Sequence, residues 1–152
     1  METFEIFTIL DQFSLPEGKI SIEPIPGGRI NKTYLVEINS CIDNTKLRYV
    51  LQGINQNVFP QGAIIVENLE RLQEFSPLRG LDLVSTKSSK TFTLADDGTY
   101  FRLMKYVVHS PIQRMCPNIC YEAGRIVGEF HRTYWEFDAN TLGEAIHDFH
   151  NT

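Results

Sequence analysis

The residues with the clearest chemical potential lie in Pro26–Tyr34, PGGRINKTY. Two adjacent glycines let backbone amides approach a bound anion closely, and phosphate is the anion such turns most often hold. Gly27 and Gly28 are the residues that permit this turn. Taken alone, Gly-Gly between two strands is equally a hairpin turn chosen for backbone freedom. A phosphate site also wants a basic side chain on a nearby strand and a helical glutamate to orient it. Glu67 is the helical candidate, although Arg71 four residues on offers it an ordinary surface pair. The strand candidate is missing, because Tyr49-Val50-Leu51-Gln52-Gly53-Ile54-Asn55 carries no cation at Gln52 or Gly53. Arg48 and Arg102 are the available substitutes, and each also reads as a structural or solvent-facing charge.

Other chemistries find little support. His147-Asp148-Phe149-His150 gathers three metal-capable groups, but without a fourth ligand the tract reads as an exposed polar tail. His131, beside an apolar helical face, reads as a packed or capping histidine. Cys41, Cys116 and Cys120 are odd in number and lack a second spaced pair, so reduced thiols are expected. No Gly-x-Ser-x-Gly elbow, dinucleotide fingerprint or Walker-type loop occurs. No catalytic residue and no metal ligand is expected within this chain.

The elements that must position these groups follow from apolar spacing. Phe4, Phe7, Ile9, Leu10 and Phe13 predict an amphipathic helix over 3–13, broken by Leu15-Pro16-Glu17-Gly18. Ile20, Ile22 and Ile25 predict a strand, Thr33–Ile38 a second, and Leu47–Ile54 a third after a turn at Asp43-Asn44. Ile65, Leu69, Leu72 and Phe75 form one helical stripe, with Pro60 in its first turn and Ser76-Pro77 and Gly80 closing it. Strands over Lys90–Leu94 and Thr99–Val108 flank Ala95-Asp96-Asp97-Gly98, a hairpin turn. Pro117-Asn118 opens a last long helix with Ile119, Ala123, Ile126, Val127, Phe130 and Tyr134 on one face. Gly124 and Gly128 would admit a close neighbour to that helix, and a short helix is predicted over Thr141–Ile146. The expected class is α+β: a five-stranded antiparallel sheet with one crossing helix after the third strand, then further helices.

Composition narrows the partners. Apolar residues make up 42% and charged residues 22% of 152 residues, ordinary for one globular domain with a short appendage. The net charge of −5 and the absence of a dense Lys/Arg run argue against a nucleic-acid partner. No tract approaches the roughly 18 consecutive apolar residues of a membrane span. Glu2 and Glu5 stand where a secretory signal would carry Lys or Arg, so a cytoplasmic chain without a membrane partner is expected.

The stretches GGRINKTYLVE, YVLQGINQNVFP, VENLERL, YFRLMKYV and YEAGRIVGEFHRTYWEFDANTLGEAIHDFHNT together resemble the aminoglycoside phosphotransferase and choline kinase family. The likeness is greatest to N-acetylhexosamine 1-kinases and spans about Ile20 to Thr152. It implies a protein-kinase-like amino-terminal lobe over 1–108, followed by a linker and helical segment over 109–152 leading to a carboxy-terminal lobe. It implies ATP as the nucleotide, with Gly27, Gly28, Arg29, Ile30 and Asn31 as its loop, Glu67 as the helix glutamate, and Met104, Tyr106 and Val107 at the hinge that receives adenine. Relatives typically carry Arg or Lys where this chain has Gly53, unless Gln52 holds the contact position. The His-x-Asp catalytic loop, its downstream Asn and the magnesium-binding aspartate of the family are not found in the sequence. Mg²⁺ and a sugar or alcohol acceptor are therefore expected to engage mainly a second lobe, and the chain alone is expected to be inactive. The apolar face of the last helix, if uncovered, implies self-association or a non-catalytic dimerising module.

Overall fold

Alternation of apolar residues with period two produces an antiparallel sheet of five strands, and the two helices flanking it take opposite faces. In the computed structural model, residues 3–41, 45–76, 82–110, 112 and 114–149 are described. The order is α1 (Thr3–Leu10), β1 (Gly18–Pro24), β2 (Lys32–Ser40), β3 (Lys46–Gly53), α2 (Gly62–Phe75), β4 (Phe92–Leu94), β5 (Tyr100–Lys105) and α3 (Pro117–Thr133). The sheet runs β1-β2-β3-β5-β4, every pair antiparallel, so β5 is inserted beside β3 and β4 becomes an edge. The chain is thus α+β, with α2 crossing between the third and fourth strands. Among the described residues no helix is long and apolar enough to cross a membrane.

One face of the sheet is sealed. Val36, Ile38, Tyr49, Leu51, Phe101 and Leu103 point to it and bury against Ile6, Ile9, Leu10 and Phe13. Apolar area removed from water here, at about 25 cal/mol per Å², is what holds the strands in register. The helix ends at Leu10 rather than at Phe13, because tighter i→i−3 bonds follow and Phe13 then bridges Thr86. Ile6 is buried, while Phe7, expected on the apolar stripe, is exposed. Residues i and i+2 on a strand share a face. Tyr100, Arg102 and Met104 on β5 and Val50 and Gln52 on β3 therefore occupy the second face. Helix α2 approaches that side, with Gly62 packed closely on the Tyr100 ring.

Several boundaries differ from expectation. β1 stops at Pro24, although the Ile25 amide still reaches the Thr33 carbonyl at 2.8 Å. β4 begins at Phe92, since Lys90 is spent on a local turn with Thr86. β5 ends at Lys105, and the Tyr106 amide still donates to the Arg48 carbonyl at 2.9 Å. Pro60 precedes the α2 cap, Gln61, instead of lying in the first turn. Of the expected stripe only Leu69 is buried, together with Gly62 and Val66; Ile65 and Leu72 are half-buried and Phe75 is exposed. Two neighbours divide this helix: the sheet takes the 62/66/69 side, and the segment after α3 takes another. There Phe75 meets the Tyr134 and Phe137 rings at 5.9 and 5.3 Å, and Tyr134 donates its hydroxyl to the Ser76 carbonyl at 2.7 Å. The turn at Asp43-Asn44, the stop at Pro77 and Gly80, and His150 lie outside the described residues.

The expected helix over 141–146 is instead a 3-10 turn, Ala139–Thr141. Asp138 caps it through the Asn140 amide (3.0 Å), and Asn68 of α2 then grips Gly143 from both sides, donating at 2.7 Å and accepting at 2.8 Å. Capture of that backbone by α2 removes the bonds a helix would need. Helix α3 starts at Pro117 as expected, with Cys116 at the N-cap position making no side-chain capping bond, and buries no residue. Gly124 and Gly128 have nothing described near them, so the close neighbour expected there is not among the described residues.

Candidate functional site

The loop of residues 25–31 joins β1 to β2 at one end of the sheet. Gly27 sits at φ +99°, a conformation that a side chain at Cβ strongly disfavours. After the Ile25–Thr33 bond, the amides of Gly27, Gly28 and Arg29 donate to no other described residue. The loop is not left loose. The Asn55 amide donates to Asn31 Oδ1 at 3.0 Å, and Asn55 Nδ2 donates to the Ile30 carbonyl at 3.1 Å. Gln56 reaches across to the Gly98 carbonyl of the β4–β5 turn. Ile30, Lys32, Gly53, Asn55, Asp97 and Thr99 line a cleft of about 330 Å³ where these three connections meet. Asp97 is held below the usual carboxylate range by hydrogen bonds from Thr99, with the positive charge of Lys32 a lesser cause.

The middle of the second face carries one polar pair. Arg102 donates from Nε (3.1 Å) and Nη2 (2.7 Å) to the single oxygen Oε1 of Gln52, its cross-strand neighbour. Burial lowers the Arg102 pKa from the ordinary guanidinium value, but a guanidinium remains charged. Arg48, the other substitute cation, is committed to Glu37 at 2.9 Å and lies over the Tyr106 ring.

The register at the end of β3 is decided by packing. Gly53 opposes Phe101, and a Cβ at Gly53 would fall 2.7 Å from the Phe101 ring. Position 53 therefore faces the sealed apolar side, and position 52 faces the polar side. A basic residue at 53 would point into the core, away from Arg102.

At the opposite end of β3, Met104 pairs with Val50, and the chain leaves the sheet through Tyr106 and Val107. His109 Nδ1 lies 2.9 Å from the Val107 carbonyl, so the exit is itself tied by a local bond. From Arg48 to Gly53 is about 17 Å at the usual rise per strand residue, which sets the separation of the chain exit from the glycine loop.

No protein-family model matches the chain. The geometry brings Gln52 and Met104 to one face, with Gly27 to Asn31 at one end of it and Tyr106 and Val107 at the other. It does not bring Glu67 to Gln52 or Arg102. Glu67 is half-exposed and pairs with Arg71 at 3.9 Å, one helical turn away. His147 lies against Glu144 and Asp148 on the surface, and among the described residues no cluster of three or more His, Cys, Asp or Glu is arranged to hold a metal ion. The described cysteines are free thiols. Sequence reasoning missed Asn55. Its only signal was an Asx residue just past a strand, where such side chains commonly bond nearby backbone.

Proposed function

We propose that this chain is the nucleotide-binding lobe, with linker helices, of a small-molecule kinase of the aminoglycoside phosphotransferase type. In the complete protein, the γ-phosphate of ATP would pass to a hydroxyl of a small acceptor, with an N-acetylhexosamine-like sugar as the best candidate. The observation that supports this most is the chain path. A glycine hairpin, a third strand, a crossing helix and an inserted fifth strand place the glycine loop and the chain exit at opposite ends of one polar face. That is the layout a nucleotide lobe needs, since catalysis in such enzymes is mainly positioning plus charge stabilisation.

Within this reading the residues divide the work. The amides of Gly27, Gly28 and Arg29, which donate to no described residue, would face the phosphates, Asn55 fixes the loop, and Val50 and Met104 give an apolar bed near the exit. Mg²⁺ would supply charge neutralisation between the phosphates, held mainly by side chains of a second lobe. Proton removal from the acceptor belongs to that lobe as well. Calorimetric titration with Mg-ATP is the test: saturable binding, even at millimolar strength, is expected. A chain that binds no nucleotide, while remaining folded by circular dichroism, would remove the basis of the reading.

One observation favours a second reading, a kinase-like module that dimerises without catalysis. Ile126, Val127 and Phe130 of α3 are 59%, 55% and 43% exposed. Self-association by light scattering together with absent nucleotide binding would select it.

A further inference from the structure

Arg102 is a half-buried cation on the sheet without a carboxylate partner, whereas the other described cations that lack one are exposed. Its guanidinium is half-buried, and its partner is a neutral amide oxygen on Gln52. Among the described residues no carboxylate lies within ion-pair distance of it, whereas Lys46, Arg48, Arg71, Lys87 and Arg125 all have one. A half-buried charge without a countercharge is costly, and proteins normally pair it. Nη1 makes no hydrogen bond to a described residue, and no described side-chain nitrogen or oxygen is both buried and unpartnered. Nη1 is therefore open to solvent, with Nε and Nη2 held in place by Gln52.

That arrangement leaves a guanidinium held by Gln52 on the polar face with one nitrogen, Nη1, free of any described partner. Gln52 orients the fork without neutralising it, which a Glu at 52 would do. Gly53 cannot be the lost cation's site, since its side-chain direction runs into Phe101. Resting on the nucleotide reading above, we infer that Arg102 is the phosphate-binding cation of this lobe, carried on β5 and positioned by Gln52. A guanidinium suits this task because its planar fork can keep one edge on Gln52 while the other meets phosphate oxygens.

The test is calorimetry with Mg-ATP, and with adenosine as the phosphate-free probe, on four folded proteins. The wild type is expected to prefer Mg-ATP to adenosine. Arg102→Gln is expected to weaken Mg-ATP about tenfold or more and leave adenosine unchanged, the loss typical of one charge-assisted contact. Gln52→Glu is expected to weaken Mg-ATP similarly while raising the melting temperature, because it supplies the missing countercharge. The exchange Gln52→Arg with Arg102→Gln keeps a cation on the same face and is expected to recover most of the affinity. Equal Mg-ATP affinity in wild type and Arg102→Gln would overturn the assignment of Arg102 and leave the nucleotide reading standing. A wild type that binds neither ligand would overturn both.

Discussion

The two faces of the sheet are built by opposite rules. On the side of α1, Phe13, Phe101, Leu51, Leu103, Val36 and Ile38 are fully buried, and a missing or extra atom is felt at once. On the side of α2, Val50 and Met104 stay partly open, and a charged Arg102 is held by a neutral Gln52. The first face holds the fold together; the second spends stability on a charge that the fold does not use. That contrast separates two kinds of mutation.

The largest effect is expected on the sealed face. Phe101→Ala should cost about 3–5 kcal/mol in urea unfolding, because the ring is fully buried and its cavity is walled by strands that cannot collapse. Next comes Gly53→Arg, which would place a basic residue at the end of β3. It should lower stability by about 1–3 kcal/mol or more through collision with Phe101, and it should not strengthen Mg-ATP binding. Recovery of nucleotide affinity in Gly53→Arg would break the comparison of the faces.

On the polar face the order reverses, with large effects on binding and small ones on folding. Replacing the pair together, Gln52→Leu with Arg102→Met, removes donor and acceptor at once and should change stability by less than about 1 kcal/mol. The same double variant should lose Mg-ATP binding. A loss of stability as large as that of Phe101→Ala would mean that the pair is structural.

The smallest effect sharpens the contrast by pH. Glu37 is held below the usual carboxylate range, first by its hydrogen bond to Lys46, with Arg48 contributing. A depressed folded-state pKa gives stability that is present above the ordinary value of 4.5 and is lost as pH falls through the folded value. Glu37→Gln should therefore flatten the acid limb of a thermal-stability profile below about pH 4.5 and leave the profile at neutral pH nearly unchanged.

The sheet was legible in the sequence because Ile20 and Ile22 alternate with polar neighbours and Leu47–Ile54 is a short run rich in Leu, Val and Tyr between turns. The Asp97-Gly98 turn was legible for the same local reason. What was not legible depended on partners distant in sequence. Whether position 52 or 53 faces the polar side is set by Phe101, nearly fifty residues away. The buried side of α2 is chosen jointly by Tyr100 and by a segment around Gly143, so of the stripe Ile65, Leu69, Leu72 and Phe75 only Leu69 is buried. The turn at 139–141 replaces a helix because Asn68 captures Gly143. At the candidate site, the glycine loop could be read from its residue types, but the Asn55 clamp and the orientation of Arg102 could not.

The polar face is proposed to bind a nucleotide between the glycine loop and the chain exit. The most direct test of this proposal is a Mg-ATP titration of the isotopically labelled chain, followed by amide and arginine side-chain NMR shifts. The expected result is saturable change at Gly27 to Asn31, Gln52, Arg102 and Met104 to Val107, with Leu51 side-chain contacts and α1 unmoved. Absence of saturable change, or change confined to the α1 side of the sheet, would contradict the account.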